Sequence, residues 1–127
     1  MQSAQIETYR NTQKMTMSGR ELEAAVLTKA AQKLTFCQNN WEASDREEKL
    51  QEALKYNQQV WTVFQTELSN PENPLPKKLK EDLLSLSAFI DRRIFDILSF
   101  PSPEKLNAII NINLNIAAGL SGSPTQE

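Results

Sequence analysis

The sequence contains no histidine, a single cysteine (Cys37) and only three glycines, and each scarcity narrows what the chain can be. Histidine is the usual general base near neutral pH. Without it catalysis would fall to carboxylates, lysines or Cys37, and these form no recognisable constellation. The chain does not read as an enzyme, and it offers no catalytic residue. One cysteine cannot close an intramolecular disulfide, and without histidine no zinc-ligand set can be assembled. Neither metal nor cofactor is expected. Cys37 lies beside Phe36 and four residues after Lys33, and reads as a small buried hydrophobe rather than a nucleophile. Glycine costs a helix about 1 kcal/mol relative to alanine. Its confinement to positions 19, 119 and 122 favours helices in between.

Long hydrophobic runs are also missing. Nothing approaches the roughly 18 apolar residues of a membrane span. The stretch Met1 to Met17 is polar and lacks an apolar centre of signal-peptide length. These readings predict no membrane insertion and a cytoplasmic location. Nor is there an excess of positive charge: 14 basic side chains face 16 acidic ones, for a net charge of -2. Phosphate binding needs a net basic surface, so direct nucleic-acid binding is not expected. Lys77, Lys78 and Lys80 are the best candidates for a local basic patch. The ordinary reading of such a run is a solvated first helical turn.

What the chain does have is helical periodicity. Its 127 residues suit one domain, and a chain of this size buries roughly two thirds of its unfolded surface. Hydrophobic residues make up 39%, so the core must be economical. Residues 1–17 show no sustained period and read as a flexible polar arm in which Tyr9-Arg10 stands out. That tyrosine either stays in solvent or docks on the body of the protein. Ser18-Gly19-Arg20-Glu21 and Ser44-Asp45-Arg46-Glu47 have the form of capping boxes. The first opens a helix with Leu22, Val26 and Ala30 on one row, and Leu27, Ala31, Leu34 and Trp41 on the next. The second opens a helix whose stripe runs Leu50, Leu54, Asn57, Trp61, Phe64, Leu68, with every spacing three or four. Asn57 either bonds across to another helix or lies at the edge of this stripe, because a buried amide without partners costs about 1–3 kcal/mol.

Asn70-Pro71 and Asn73-Pro74 end the second helix, and Pro76 suits the first turn of a third. One stripe of that helix holds Leu79, Leu83, Leu86, Ile90 and Ile97, with Phe89 and Ile94 filling the same face. A second stripe holds Leu84, Ala88, Phe95 and Leu98, with Asp91 between. A helix apolar over so much of its circumference is either central or keeps one side for a partner. The second stripe is accordingly a candidate partner face, or else a surface covered by the first helix or the N-terminal arm. Ser102-Pro103-Glu104 opens a last helix. Ile110 to Ile116 alternates apolar and polar residues as a strand would. Leu106, Ile109, Ile110, Asn113, Ala117 and Leu120 also follow the helical period, and Gly119 is placed as the stop.

The pattern therefore predicts an all-α fold, a compact bundle of four principal helices near 18–40, 44–69, 76–99 and 103–119. The bundle domain spans 18–120, after the arm 1–17 and before a disordered tail at 121–127. Leu54, Trp61, Phe64, Leu83, Leu86 and Phe89 are predicted to form the core between antiparallel second and third helices.

The same segments resemble the FlaF family of flagellar proteins over most of the chain, from about Tyr9 to Leu120. The resemblance is carried by Tyr9, by Arg20-Glu21-Leu22-Glu23, and by Leu54, Asn57 and Trp61. It continues through Asn70-Pro71, Asn73 and Leu75-Pro76, then Leu83, Leu86, Phe89 and Asp91-Arg92, and closes with Ile112-Asn113 and Gly119-Leu120. It implies a cytosolic, all-helical protein needed for flagellum biogenesis, which binds flagellin as a secretion chaperone and couples its synthesis to type III export. It further implies an association with FlbT, and as the alternative a post-transcriptional regulator of flagellin mRNA acting with FlbT.

Overall fold

A computed structural model describes residues 19–122 of the chain. Ser18, the arm assigned to 1–17 and residues 123–127 of the assigned tail lie outside the described residues. Within them the order is α1 (Gly19–Asn39), α2 (Arg46–Ser69), α3 (Lys77–Ser99), a 3-10 turn (Pro103–Leu106) and α4 (Asn107–Leu120). The all-α bundle of four helices is thus the observed architecture, and the described residues contain no strand.

α1 is the hub. It packs most extensively on α4 and next on α2, whereas α3 packs mainly on α2 and reaches the 3-10 turn. The alanine-rich face of α1 explains this. Ala24, Ala30 and Ala31 are buried beside Leu22, Val26, Leu27 and Leu34, and small side chains let neighbouring helices approach closely. Gln38 fastens the end of α1 to the start of the last helix, donating to the Pro103 carbonyl at 2.9 Å and to Asn107 Oδ1 at 2.6 Å. Trp41 falls beyond α1, in the turn, where the Arg46 guanidinium covers its ring at 4.4 Å.

α2 does not start from its predicted capping box. The helix begins at Arg46, and Asp45 at its N-cap makes no side-chain capping bond. Consecutive turn bonds take over, Ala43 N–H to Asn40 O at 3.0 Å and Arg46 N–H to Ala43 O at 3.1 Å. They roll the chain from one helix into the next, so a serine cap is not required. At the far end the asparagines of the proline-broken turn act as predicted turn residues. Asn70 Oδ1 accepts from Glu72 N–H at 2.9 Å and Asn73 Oδ1 from Leu75 N–H at 3.0 Å. Asn73 Nδ2 also donates to the Glu67 carbonyl at 3.0 Å, which accepts the Asn70 N–H at 3.3 Å as well, so this carbonyl at the helix end is doubly satisfied. Pro76 takes the N-cap of α3 rather than its first turn.

Ile110 to Ile116 is helical. Leu106, Ile109, Ile110, Asn113 and Ala117 point inward at spacings of three or four, while Asn111, Leu114 and Asn115 are exposed. The opening turn is 3-10 with Pro103 first, and only from Asn107 is the helix α. Gly119 remains inside α4. Gly122 is the stop: its φ of 78° is the left-handed geometry that favours glycine, and its N–H bonds back to the Gly119 carbonyl at 3.3 Å.

Candidate partner-binding surface

The core is reached by only part of the predicted set. Leu54 and Trp61 are buried, whereas Phe64, Leu83, Leu86 and Phe89 are half-buried. On α3 the buried positions are Ser87, Ile90, Ile94 and Ile97. The reason is position: α3 lies at the edge of the bundle, so one row of residues reaches the interior and the flanking rows remain at the seam. Ser87, which carried no signal in the hydrophobic pattern, is the polar member of the buried row and accepts from Gln65 Nε2 of α2. Gln65 also reaches Asp91 Oδ2 at 3.4 Å.

Among the described residues α3 packs on one side only, which leaves its outer face open. Leu84 is half-buried, Ala88 exposed, Phe95 73% exposed and Leu98 51% exposed. At 3.6 residues per turn these four positions fall within an arc of about 80°. Phe100, just beyond the helix, is a further exposed aromatic, 71% in solvent. Sequence reading did not include it, because it follows the last periodic residue. Lys105 fixes this corner: its Nζ donates to the Phe100 carbonyl at 2.6 Å, pairs with Asp96 at 3.1 Å and lies 5.6 Å from the Phe100 ring centroid.

A second apolar feature lies at the other end of α3. A pocket of about 400 Å³ opens between the end of α2, the proline turn, the start of α3 and the end of α4. Trp61, Phe64, Leu75, Leu83, Ile116 and Leu120 line it. No local pattern marks it, since its walls come from segments far apart in the chain.

The interior holds a polar chain. The Trp61 indole N–H donates to Asn113 Oδ1 at 2.8 Å, and Asn113 Nδ2 donates to Asn57 Oδ1 at 2.6 Å. All three side chains are buried, so Asn57 is bonded across to another helix and does not lie at the edge of its stripe. Cys37 is buried in the core, and burial, assisted by the Glu52 carboxylate, pushes its thiol pKa above the ordinary value against the opposing pull of Lys33 and Lys49. Among the described residues no cluster of histidine, cysteine, aspartate and glutamate side chains could hold a metal ion. In that region no helix is long and apolar enough to cross a membrane.

The fold and its surface define a small all-α protein with a peripheral amphipathic helix. The family model described as flagellar protein FlaF matches residues 5–120, and the chain belongs to that family, a flagellar one. No curated protein and no solved structure matches the chain.

Proposed function

We propose that this protein is a flagellin-binding factor of the cytoplasm, a secretion chaperone that covers amphipathic segments of unassembled flagellin and couples its synthesis to type III export. The observation that carries the reading is the open apolar stripe of α3, with Phe95 and Leu98 largely in solvent. Membership of a flagellar family supports the choice of partner. Terminal segments of an assembling filament protein must be kept from self-association, and an amphipathic helix laid along a ready apolar stripe does this without chemistry. Burying Phe95 and Leu98 would contribute about 1.5–3 kcal/mol for each side chain. Leu84 and Ala88 would continue the contact, and Asp91 in the middle of the stripe would set the register by preferring a basic or hydrogen-bonding group opposite. No catalytic residue, cofactor or metal enters this mechanism.

The experiment is a calorimetric titration of purified monomeric flagellin into the full-length protein. A saturable one-to-one heat is expected, accompanied by suppression of filament growth in the same mixture. Absence of binding to flagellin, with binding to flagellin messenger RNA alone or together with FlbT, would overturn the chaperone reading in favour of a translational regulator. The net charge of -2 weighs against that second reading for the protein alone.

A further inference from the structure

We propose that the apolar pocket between α2, the proline turn, α3 and α4 is the seat of the chain's own N-terminal segment, residues 5–18, with Tyr9 as its anchor. The first argument is where the chain arrives. α1 begins at Gly19, and Arg20, its second residue, stands on the pocket rim. Tyr9 precedes Gly19 by ten residues, which extend to at most about 36 Å. The segment can therefore return to the pocket without strain. A short tether also gives it an effective concentration of roughly millimolar, so a weak contact suffices.

The second argument is fit. At about 400 Å³ the pocket is near the small end of the range for ligand cavities, about 300–1,000 Å³. It suits one large side chain with an aliphatic neighbour better than the face of a whole helix. The segment offers Ile6, Tyr9, Met15 and Met17 in a polar background. That is too little apolar area for a core of its own but enough for one anchor, and tyrosine combines an apolar body with a polar tip that can remain at the rim.

Charge is complementary. Glu23 and Glu67 stand on the rim with Arg20, whereas Arg10 and Lys14 give the segment a basic excess over Glu7. Finally, the FlaF family match begins at residue 5, well before α1. The shared pattern of the family thus includes this segment together with the bundle. This inference is independent of which partner α3 takes, since the pocket and the exposed end of the α3 stripe lie at opposite ends of that helix.

The test uses the full chain carrying Cys37→Ala, with Thr8→Cys on the segment and Leu75→Cys on the rim. Under mild oxidation in dilute solution a monomeric disulfide between positions 8 and 75 should form. Adding Tyr9→Ser should slow it at least about tenfold, the loss of an anchoring contact. Equal rates with and without Tyr9 would overturn the proposal, because proximity alone would then explain the cross-link. Disulfide-linked dimers in place of the monomeric product would also overturn it and give the pocket to a second copy. Should the Cys37→Ala chain fail to fold, 3-fluorotyrosine incorporated into the otherwise natural chain reads the same contact. The Tyr9 fluorine resonance should move when Leu75→Asp is introduced, and an unmoved resonance at the position of free tyrosine would refute the docking.

Discussion

The indole N–H of Trp61 is 2.8 Å from Asn113 Oδ1, and both side chains are out of contact with solvent. This bond ties the middle of α2 to the middle of α4, and the second bond from Asn113 to Asn57 completes a polar chain across the interior. Among the described residues Asn57 Nδ2, at its end, has no hydrogen-bond partner. The chain is thus asymmetric. Asn113 serves two neighbours, whereas Asn57 carries an orphaned donor.

That asymmetry predicts unequal mutational costs. Asn113→Ala strands both the Trp61 N–H and Asn57 Oδ1, each at about 1–3 kcal/mol, and should lose about 2–6 kcal/mol in all. Asn57→Leu breaks one bond but also removes a buried donor that has no partner among the described residues, so its loss should be about 2 kcal/mol or less. Urea unfolding of both variants, at unchanged m-value, measures the difference. Equal losses would show that the two amides contribute alike.

Phe64 meets Trp61 edge to face, with ring centroids 5.7 Å apart at an angle of 86°, and forms a wall of the apolar pocket. Half-buried by the bundle alone, Phe64 would cost about 1–3 kcal/mol on truncation; with the N-terminal segment seated on the pocket, Phe64→Ala should approach the roughly 3–5 kcal/mol of an enclosed aromatic. A loss of about 1 kcal/mol or less by urea unfolding would mean that the pocket stands open in solution.

The Cys37 thiol is held neutral by burial, with the Glu52 carboxylate adding to the shift. Its folded-state pKa is raised, so between the ordinary value of 9.0 and the folded value the native state binds the proton more strongly than the unfolded chain. The stabilisation is fully present below the ordinary thiol pKa and is lost as the pH climbs through the folded value. The alkaline limb of a pH–stability curve should therefore flatten in Cys37→Ala. Thiol reagents should label native Cys37 slowly and the urea-unfolded protein at once. Rapid labelling of the folded protein would contradict its burial.

Helix existence was legible from the spacing of Leu22 to Leu34, Leu50 to Leu68 and Leu79 to Leu98, because burying one face imposes its period on the sequence. The turn from Asn70 to Pro76 was legible for a different reason: asparagine and proline there do local work, and the Asn70 and Asn73 side-chain bonds are made within a few residues. What depended on distant parts of the chain was not legible. The start of α2 was missed for a local reason, since the turn bonds from Asn40 to Arg46 make the Ser44 cap redundant. The partial burial of Leu83, Leu86 and Phe89 follows from α3 packing at the edge of the bundle. The alternation from Ile110 to Ile116 suits strand and helix alike, and α4 is decided by Asn113 and Ala117 turning inward with Ile109 and Ile110. Of the candidate surface, Phe95 and Leu98 could be named from the sequence, but whether that stripe faces solvent is a property of the assembled bundle.

The central claim is that the outer stripe of α3 is a binding face rather than a structural one, and the double variant Phe95→Asp with Leu98→Lys tests it most directly. Both side chains lie largely in solvent, so replacement should change stability by about 0.5 kcal/mol or less. Flagellin binding should meanwhile weaken by at least about a hundredfold, the loss of two buried anchors. The measurement is the Kd for monomeric flagellin of the wild type and the double variant by calorimetry, taken with the thermal melt of each. An unchanged melt with lost binding is the predicted result; a double variant that melts as the wild type does and binds flagellin equally well would contradict the account.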